Sequence, residues 1–166
     1  MGLFSPAPAT HFPPVEGVRM DGTPLALPDA AGAAFVVVSF EDDAAPLAGQ
    51  WQRLGVRLAE SAASPAPTVV DLLVVPPKMA LLGEMALLTV RARAEREGAA
   101  SRIAVAYTPR KALRTALGMR SRADVSAFLV GPDGAILWRG DGEIDLHEIE
   151  ALGAAVGAMA GPPPGQ

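Results

Sequence analysis

The sequence predicts an α/β fold built on one mixed β-sheet. Two short, β-branched apolar runs, residues 35–40 and 68–75, flank an amphipathic helical pattern, which is the order of a parallel crossover. Residues 127–142 read AFLVGPDGAILWRGDG, and the Gly-Pro-Asp-Gly between their two apolar runs predicts an antiparallel hairpin. Parallel strands followed by such a hairpin give a mixed sheet.

Length and composition predict a single domain. The chain has 166 residues, of which 50% are hydrophobic, and that is enough for one substantial core. We expect a domain over residues 11–160, a flexible N-terminus over residues 1–10 and a flexible Pro/Gly tail over residues 161–166.

The N-terminal half begins with a predicted hairpin over residues 15–27, turning at Asp21-Gly22. Residues 35–40, FVVVSF, lack polar alternation and predict a central strand covered on both faces. A helix should follow from Pro46, with Trp51 on its apolar side and the acids of residues 41–43 near the positive end of its dipole.

The C-terminal half continues with a strand over 68–75, which Pro76-Pro77 should end. Residues 79–97 predict one helix, apolar nearly all round as far as Val90 and polar beyond. A short strand over 103–106 is followed by a helix with Thr108 as N-cap and Gly118 beyond its end.

The last predicted element is a helix after the hairpin. Asp145 and Glu148 stand at capping-box spacing ahead of an apolar period. Strand, hairpin and helix should therefore close the fold.

Several kinds of chemistry have no residues to perform them. The chain contains no cysteine and only two histidines, and neither a Walker phosphate loop nor a dinucleotide-binding glycine motif is present. We predict no catalytic residue, no cofactor and no metal site. The acids Glu41, Asp42 and Asp43 are the alternative, since a strand-end loop can hold Mg²⁺ or a small ligand.

The charge is unevenly distributed along the chain. Residues 91–122 hold nine basic and two acidic residues, whereas the whole chain has a net charge of -4. A basic segment can contact an acidic partner, anionic lipid or only solvent. Nucleic-acid binding is not expected, because Tyr107 is the only aromatic residue in that segment.

The order of elements resembles redoxin-type proteins of the thioredoxin superfamily. The similar stretches are FPPVEGVRMDGTPLALPDAAGAAFVVVSF, followed by a helix, and FLVGPDGAILWRGDG. The resemblance implies a thioredoxin-like three-layer α/β/α sandwich with an N-terminal hairpin. The redox cysteines of that superfamily would lie in residues 41–50, where this chain has none, and Val125-Ser126 replace its proline.

Residues 35–152 also resemble the ATP-ten family of mitochondrial ATP synthase assembly factors. The matching stretches are FVVVSF, QWQRL, MALLGEMALLTVRARAERE, AYTPRKALRTALGM and FLVGPDGAILWRGDG. The resemblance implies a non-enzymatic, chaperone-like protein that helps to build the membrane sector of the ATP synthase by binding a hydrophobic membrane subunit. Because the N-terminus lacks a mitochondrial targeting pattern, we expect a bacterial relative.

The predicted contact surface lies on the 79–97 segment. An all-round apolar helix with flexible Met side chains can cover a sheet and still offer one face to a client. The residues expected to contact the client or an anionic membrane are Met79, Leu82, Met85, Leu88, Arg91, Arg93 and Arg96. Burial of both apolar faces within the fold is the alternative.

Two further functions stay open at this point. One is a cysteine-less redoxin-like enzyme that uses an acid in residues 41–43, and the other is a small-ligand binding module at the same strand ends. No apolar run reaches the ~20 residues of a membrane-spanning helix, and the N-terminus lacks a signal-peptide pattern. We therefore expect a cytoplasmic protein, peripheral at the inner membrane face.

Overall fold

The computed structural model describes residues 10–41, 44–62, 66–119 and 125–159, except for the side chains of residues 83, 84 and 86. Apart from Thr10, the two chain ends expected to be flexible lie outside these ranges, as do Asp42 and Asp43. None of the described helices is both long and apolar enough to cross a bilayer.

The described strands form one mixed sheet of seven. In chain order they are β1 (Val15–Arg19), β2 (Pro24–Leu27), β3 (Ala34–Ser39), β4 (Thr68–Val75), β5 (Ile103–Tyr107), β6 (Val125–Val130) and β7 (Ile136–Asp141). Their order across the sheet is β2-β1-β5-β4-β3-β6-β7. The central strands β3, β4 and β5 are parallel, and the pairs on either side are antiparallel.

Helices cover both faces of this sheet, which gives three layers. On one face, Phe35 and Val37 pack against α1 (Ala45–Ser61) and α4 (Leu146–Met159). On the other, Val36 and Val38 pack against Leu113 of α3 (Arg110–Ala116). Because successive strand residues point to opposite faces, the uniformly apolar β3 is buried on both sides, as its sequence predicts.

Both predicted hairpins and the capping box are present. The Asp21-Gly22 turn joins β1 to β2, and the turn between β6 and β7 places Gly134 at φ 90°. At the start of α4, the Asp145 carboxylate accepts a hydrogen bond from the His147 amide at 2.7 Å, and the Glu148 carboxylate accepts one from the Asp145 amide. These contacts satisfy amides that the helix itself leaves unpaired.

The prediction of one α-helix over 79–97 is wrong. A 3-10 helix over Pro77–Leu87 is followed by α2 (Leu88–Glu97), which ends at Gly98 in the left-handed conformation. The α-helix begins where side chains reach the core, since Val90 and Ala94 are buried. Packing of one face supplies most helix stability in proteins, and Leu81, Leu82 and Met85 of the preceding segment are exposed.

The predicted N-cap of α3 is also wrong. The Thr108 amide donates to the Val75 carbonyl at 3.0 Å and so extends the pairing of β5 with β4. The helix therefore begins at Arg110, with Pro109 as its N-cap and no side-chain cap. Its predicted end is confirmed, because Gly118 has φ 64° and its amide donates to the Thr115 carbonyl.

Candidate functional site

The first candidate region is the strand-end edge, defined here as Phe40, Glu41 and the first turn of α3. A carboxylate oxygen of Glu41 lies 2.8 Å from a guanidinium nitrogen of Arg110, and both side chains are partly exposed. Ala44 is the N-cap of α1 and no acid lies in its first turn, so Glu41 stands ahead of the helix. That the acids of residues 41–43 complement the dipole of α1 stays a prediction, because Asp42 and Asp43 lie outside the described residues.

A buried aromatic ring also lies at this edge. The Phe40 ring is buried, and the Arg114 guanidinium carbon lies 4.5 Å from the centre of that ring. Among the described residues, no group of three or more His, Cys, Asp or Glu could hold a metal ion. The described part of the edge thus offers one ion pair and one arginine over an aromatic ring, and neither a thiol nor a hydroxyl group.

The second candidate region is an apolar stripe along the 3-10 helix and the first residue of α2. It consists of Met79, Leu82, Met85 and Leu88, which occur at intervals of three residues, and side chains three apart are eclipsed in a 3-10 helix. At about 2 Å of rise per residue, the stripe is on the order of 18 Å long. The 3-10 conformation, which the sequence did not predict, therefore aligns the apolar members of the predicted contact residues in a row.

Most of the apolar stripe is open to solvent. Leu82 is 57% exposed, Met85 80% and Leu88 59%, whereas Met79 is half-buried. Leu81, which the sequence analysis did not select, is the most exposed of these large apolar residues at 89%. Several large hydrophobic side chains at regular spacing therefore lie outside the core and contact solvent.

Pro76 and Pro77 explain how the segment leaves the sheet. They follow β4 directly and cannot donate ladder hydrogen bonds, and Pro76 accepts a hydrogen bond from the Met79 amide at 2.9 Å. Leu87, at the far end, is half-buried against the cluster that holds Val90 and Ala94. The exposed residues lie between the proline pair and Leu87. The proline pair was the sequence signal that the chain leaves the sheet at this point.

The predicted arginines lie on α2 but not on one face. Arg91 and Arg93 are half-buried and Arg96 is exposed. At 100° per residue, Arg93 and Arg96 lie within about 60° of each other, whereas Arg91 is on the opposite flank. The structure thus brings Arg93 and Arg96 together and separates them from Arg91.

A buried polar network beside α2 was missed by the sequence analysis. Asp71 lies in the middle of β4, and its carboxylate accepts a hydrogen bond from the side-chain amide nitrogen of Gln52 at 2.9 Å. Arg102 donates to the Gln52 side-chain oxygen at 3.3 Å. Burial raises the pKa of Asp71, while the Gln52 hydrogen bond and the Arg93 charge oppose that rise. The signal was one acid inside the apolar run TVVDLLVV.

Solved structures of other proteins share this fold. The chain is similar to the pneumococcal exposed lipoprotein thioredoxin Etrx1 of Streptococcus pneumoniae (18% identity, TM-score 0.54, 87% of this chain and 98% of that one). It is also similar to a thiol:disulfide interchange protein of the thioredoxin family from Chlorobium tepidum (18%, 0.56, 91% and 99%). A third is BsSco, a member of the Sco family of cytochrome c oxidase assembly proteins (14%, 0.56, 91% and 95%).

These likenesses define the class of the protein by fold. The chain has a thioredoxin-like fold, which confirms the predicted fold class. No known family's sequence profile matches it, and no curated protein sequence matches it either. Because the chain contains no cysteine, its own residues cannot perform thiol-disulfide exchange.

Proposed function

We propose that the protein is a non-catalytic, thioredoxin-fold assembly factor that binds a hydrophobic subunit of a membrane protein complex. The observation that carries the proposal is the exposed apolar stripe. Soluble proteins rarely leave several large apolar side chains exposed together unless the surface binds something. The strand-end edge, where this fold class carries out thiol chemistry, has no thiol here.

The occupant that best fits the stripe is an apolar helix of a membrane subunit. The stripe is linear and on the order of 18 Å long, which matches about twelve residues of an α-helix at 1.5 Å per residue. Met79 and Met85 adapt to irregular apolar surfaces, because the Met side chain is unbranched and flexible. A helix laid along the stripe would bury the side chains that water now contacts.

The ATP synthase membrane sector is the complex we propose as client. The resemblance of residues 35–152 to the ATP-ten family supports this choice. The shared fold with BsSco, which belongs to a family of cytochrome c oxidase assembly proteins, is compatible with assembly work by a thioredoxin-like domain. The stripe ends at the first residue of α2, which would place the arginines of that helix where anionic lipid headgroups surround a membrane subunit.

The test compares two double variants of equal chemistry. Leu82→Glu with Met85→Glu changes the stripe, and Leu137→Glu with Leu146→Glu changes two exposed leucines of β7 and α4. Tagged proteins are recovered from native membranes, and co-purifying ATP synthase subunits are quantified. We expect recovery by the wild type and the β7/α4 variant, and at least a tenfold loss for the stripe variant, since each charge must be desolvated.

Circular dichroism establishes that both variants are folded before recovery is compared. Equal recovery of the subunit by both variants would show that the stripe is not the contact. Recovery of no ATP synthase subunit by the wild type would remove the proposed client.

A further inference from the structure

A cleft of about 360 Å³ lies between α1 and α2, apart from the apolar stripe. Arg53 comes from α1, and Arg93 and Arg96 come from α2. The first turn of α1 and Glu97 complete the lining. Two helices thus bring three guanidinium groups to one concave surface, although the arginines are far apart in the sequence.

The charge of this cleft is positive. The lining side chains are three guanidinium groups and one carboxylate, that of Glu97, so their formal charge is +2, and Arg93 also interacts with the buried Asp71. The α1 helix has 17 residues and begins at the cleft, where its dipole adds partial positive charge. Within the described ranges, no hydrogen bond or ion pair engages the guanidinium group of Arg53 or Arg96.

Gly49 shapes the mouth of the cleft on the α1 side. A Cβ atom at this position would lie 3.2 Å from an Arg53 guanidinium nitrogen. The absence of that atom lets the Arg53 side chain fold back along the helix toward its N-terminus, which is the direction of the cleft. The glycine therefore fits the position of the arginine.

We propose that the α1–α2 cleft binds a phosphate group. Guanidinium groups recognise phosphate by paired, charge-assisted hydrogen bonds. A cavity with three of them fits a phosphate dianion better than it fits a ligand with a single carboxylate. The phosphate belongs either to the headgroup of an anionic phospholipid or to a soluble organic phosphate, because both present the same oxygens. This proposal uses no residue of the stripe, but it deepens the proposed function at Arg93 and Arg96, which are among the α2 arginines placed at anionic headgroups above.

The experiment has two arms with the full chain. In the first, inorganic phosphate and glycerol phosphate are titrated, and amide and arginine side-chain NMR signals are followed. In the second, the protein is sedimented with vesicles of phosphatidylcholine or of phosphatidylcholine with phosphatidylglycerol. We expect phosphate to shift the signals of Gly49, Arg53 and Arg96, and only vesicles with phosphatidylglycerol to sediment the protein if the source is lipid.

The variants are Arg53→Ala and Arg96→Ala, with Arg57→Ala as the matched control. Arg57 lies one turn along α1 and is also charged and exposed. It lines a neighbouring groove that Arg53 borders as well, but it does not line the α1–α2 cleft. We expect phosphate affinity to fall about tenfold in each cleft variant and less than about twofold in the control, because only the cleft variants lose a direct contact.

Each outcome decides the proposal. Loss of phosphate binding in both cleft variants but not in the control supports it, with vesicle binding assigning the source to lipid and its absence to a soluble phosphate. Equal weakening by Arg57→Ala would mean a diffuse charge effect and overturn the cleft. No response to phosphate in the wild type would also overturn it, while leaving the stripe test unaffected.

Discussion

The two crossovers of the parallel sheet differ in how they use their residues. The first, from β3 through α1 to β4, buries Trp51, Gln52 and Gly55 against the sheet. The second, from β4 to β5, has eleven residues of 3-10 helix before α2 reaches the core. The same connection between neighbouring strands is thus a packed layer in one case and an exposed surface in the other.

This difference separates stability from binding. Residues in the first crossover hold α1 against β3, so their substitution should unfold the protein. Residues of the apolar stripe touch little of the fold, so their substitution should leave it intact. A protein whose described strand-end edge has no thiol or hydroxyl group can still keep its sheet and present a partner surface on a neighbouring connection.

The largest expected effect is from Gly55→Ala in the first crossover. The added Cβ would lie 2.4 Å from a ring carbon of Phe35, which is buried and stacked on Trp138. We expect a loss of about 3 kcal/mol in unfolding free energy, measured in urea, because overpacking a close contact costs that order. Gly153→Ala on α4, with nothing within 4 Å, is the control and should not destabilise.

Trp51→Phe should have the next largest effect. The indole nitrogen of Trp51 donates to the Gly142 carbonyl at 2.7 Å, and the ring is fully buried. Phenylalanine leaves that carbonyl without its donor and the site underfilled, so we expect a loss of about 2 kcal/mol. A loss of unfolding free energy below about 0.5 kcal/mol in urea would mean that the first crossover is less tightly packed than the burial of Trp51 indicates.

Asp71→Asn tests the contact between the two crossovers. Burial raises the pKa of Asp71 above its ordinary 3.8, so folding favours the protonated carboxyl. The contribution of this group to stability is therefore complete below pH 3.8 and decreases as pH rises through the folded pKa. Asparagine stays neutral and can still accept from Gln52, so the variant should gain stability relative to wild type as pH rises from 3.5 to 7. A difference that is the same at both pH values would contradict this.

Breaking the ion pair at the strand-end edge should have a small effect. Glu41 and Arg110 are both partly exposed, and such pairs contribute less than about 1 kcal/mol. A double-mutant cycle with Glu41→Gln and Arg110→Gln should give a coupling that falls when salt is raised to 1 M. A coupling above about 2 kcal/mol would assign the edge a structural role comparable with that of α1.

Leu81→Ser should have the smallest effect on stability. The side chain is 89% exposed, so its removal uncovers little of the core. We expect the unfolding free energy, measured by thermal unfolding, to change by less than about 0.5 kcal/mol, in contrast to Gly55→Ala. A loss of more than 1 kcal/mol would mean that the segment is held against the fold, and the contrast between the crossovers would fail.

The sheet and its hairpins were predictable from the sequence because their signals are local. The run FVVVSF, the turn Gly131-Pro132-Asp133-Gly134 and the Asp145–Glu148 spacing each fix a conformation through backbone geometry or a short hydrogen bond. Trp51 was placed in the core by its position on an apolar period, and it is fully buried.

The helix type of the second crossover was not predictable in the same way. An apolar run carries no information on whether a sheet lies beneath it, and α2 begins next to the residues that are buried against the sheet, Val90 and Ala94. The cleft of Arg53 and Arg93 could not be predicted either, because it needs the relative placement of two helices. Thr108 was assigned to a cap because its strand pairing with Val75 is a tertiary contact.

The 3-10 helix also fixes a length. Eleven residues span about 22 Å in a 3-10 helix but about 16 Å in an α-helix, so its residues bridge a wider gap between β4 and α2. Conversion to an α-helix would shorten the connection by about 6 Å and turn successive stripe residues by about 60° relative to one another. The row would then become a spiral around the helix. The apolar stripe is therefore a straight binding surface only while this connection remains a 3-10 helix.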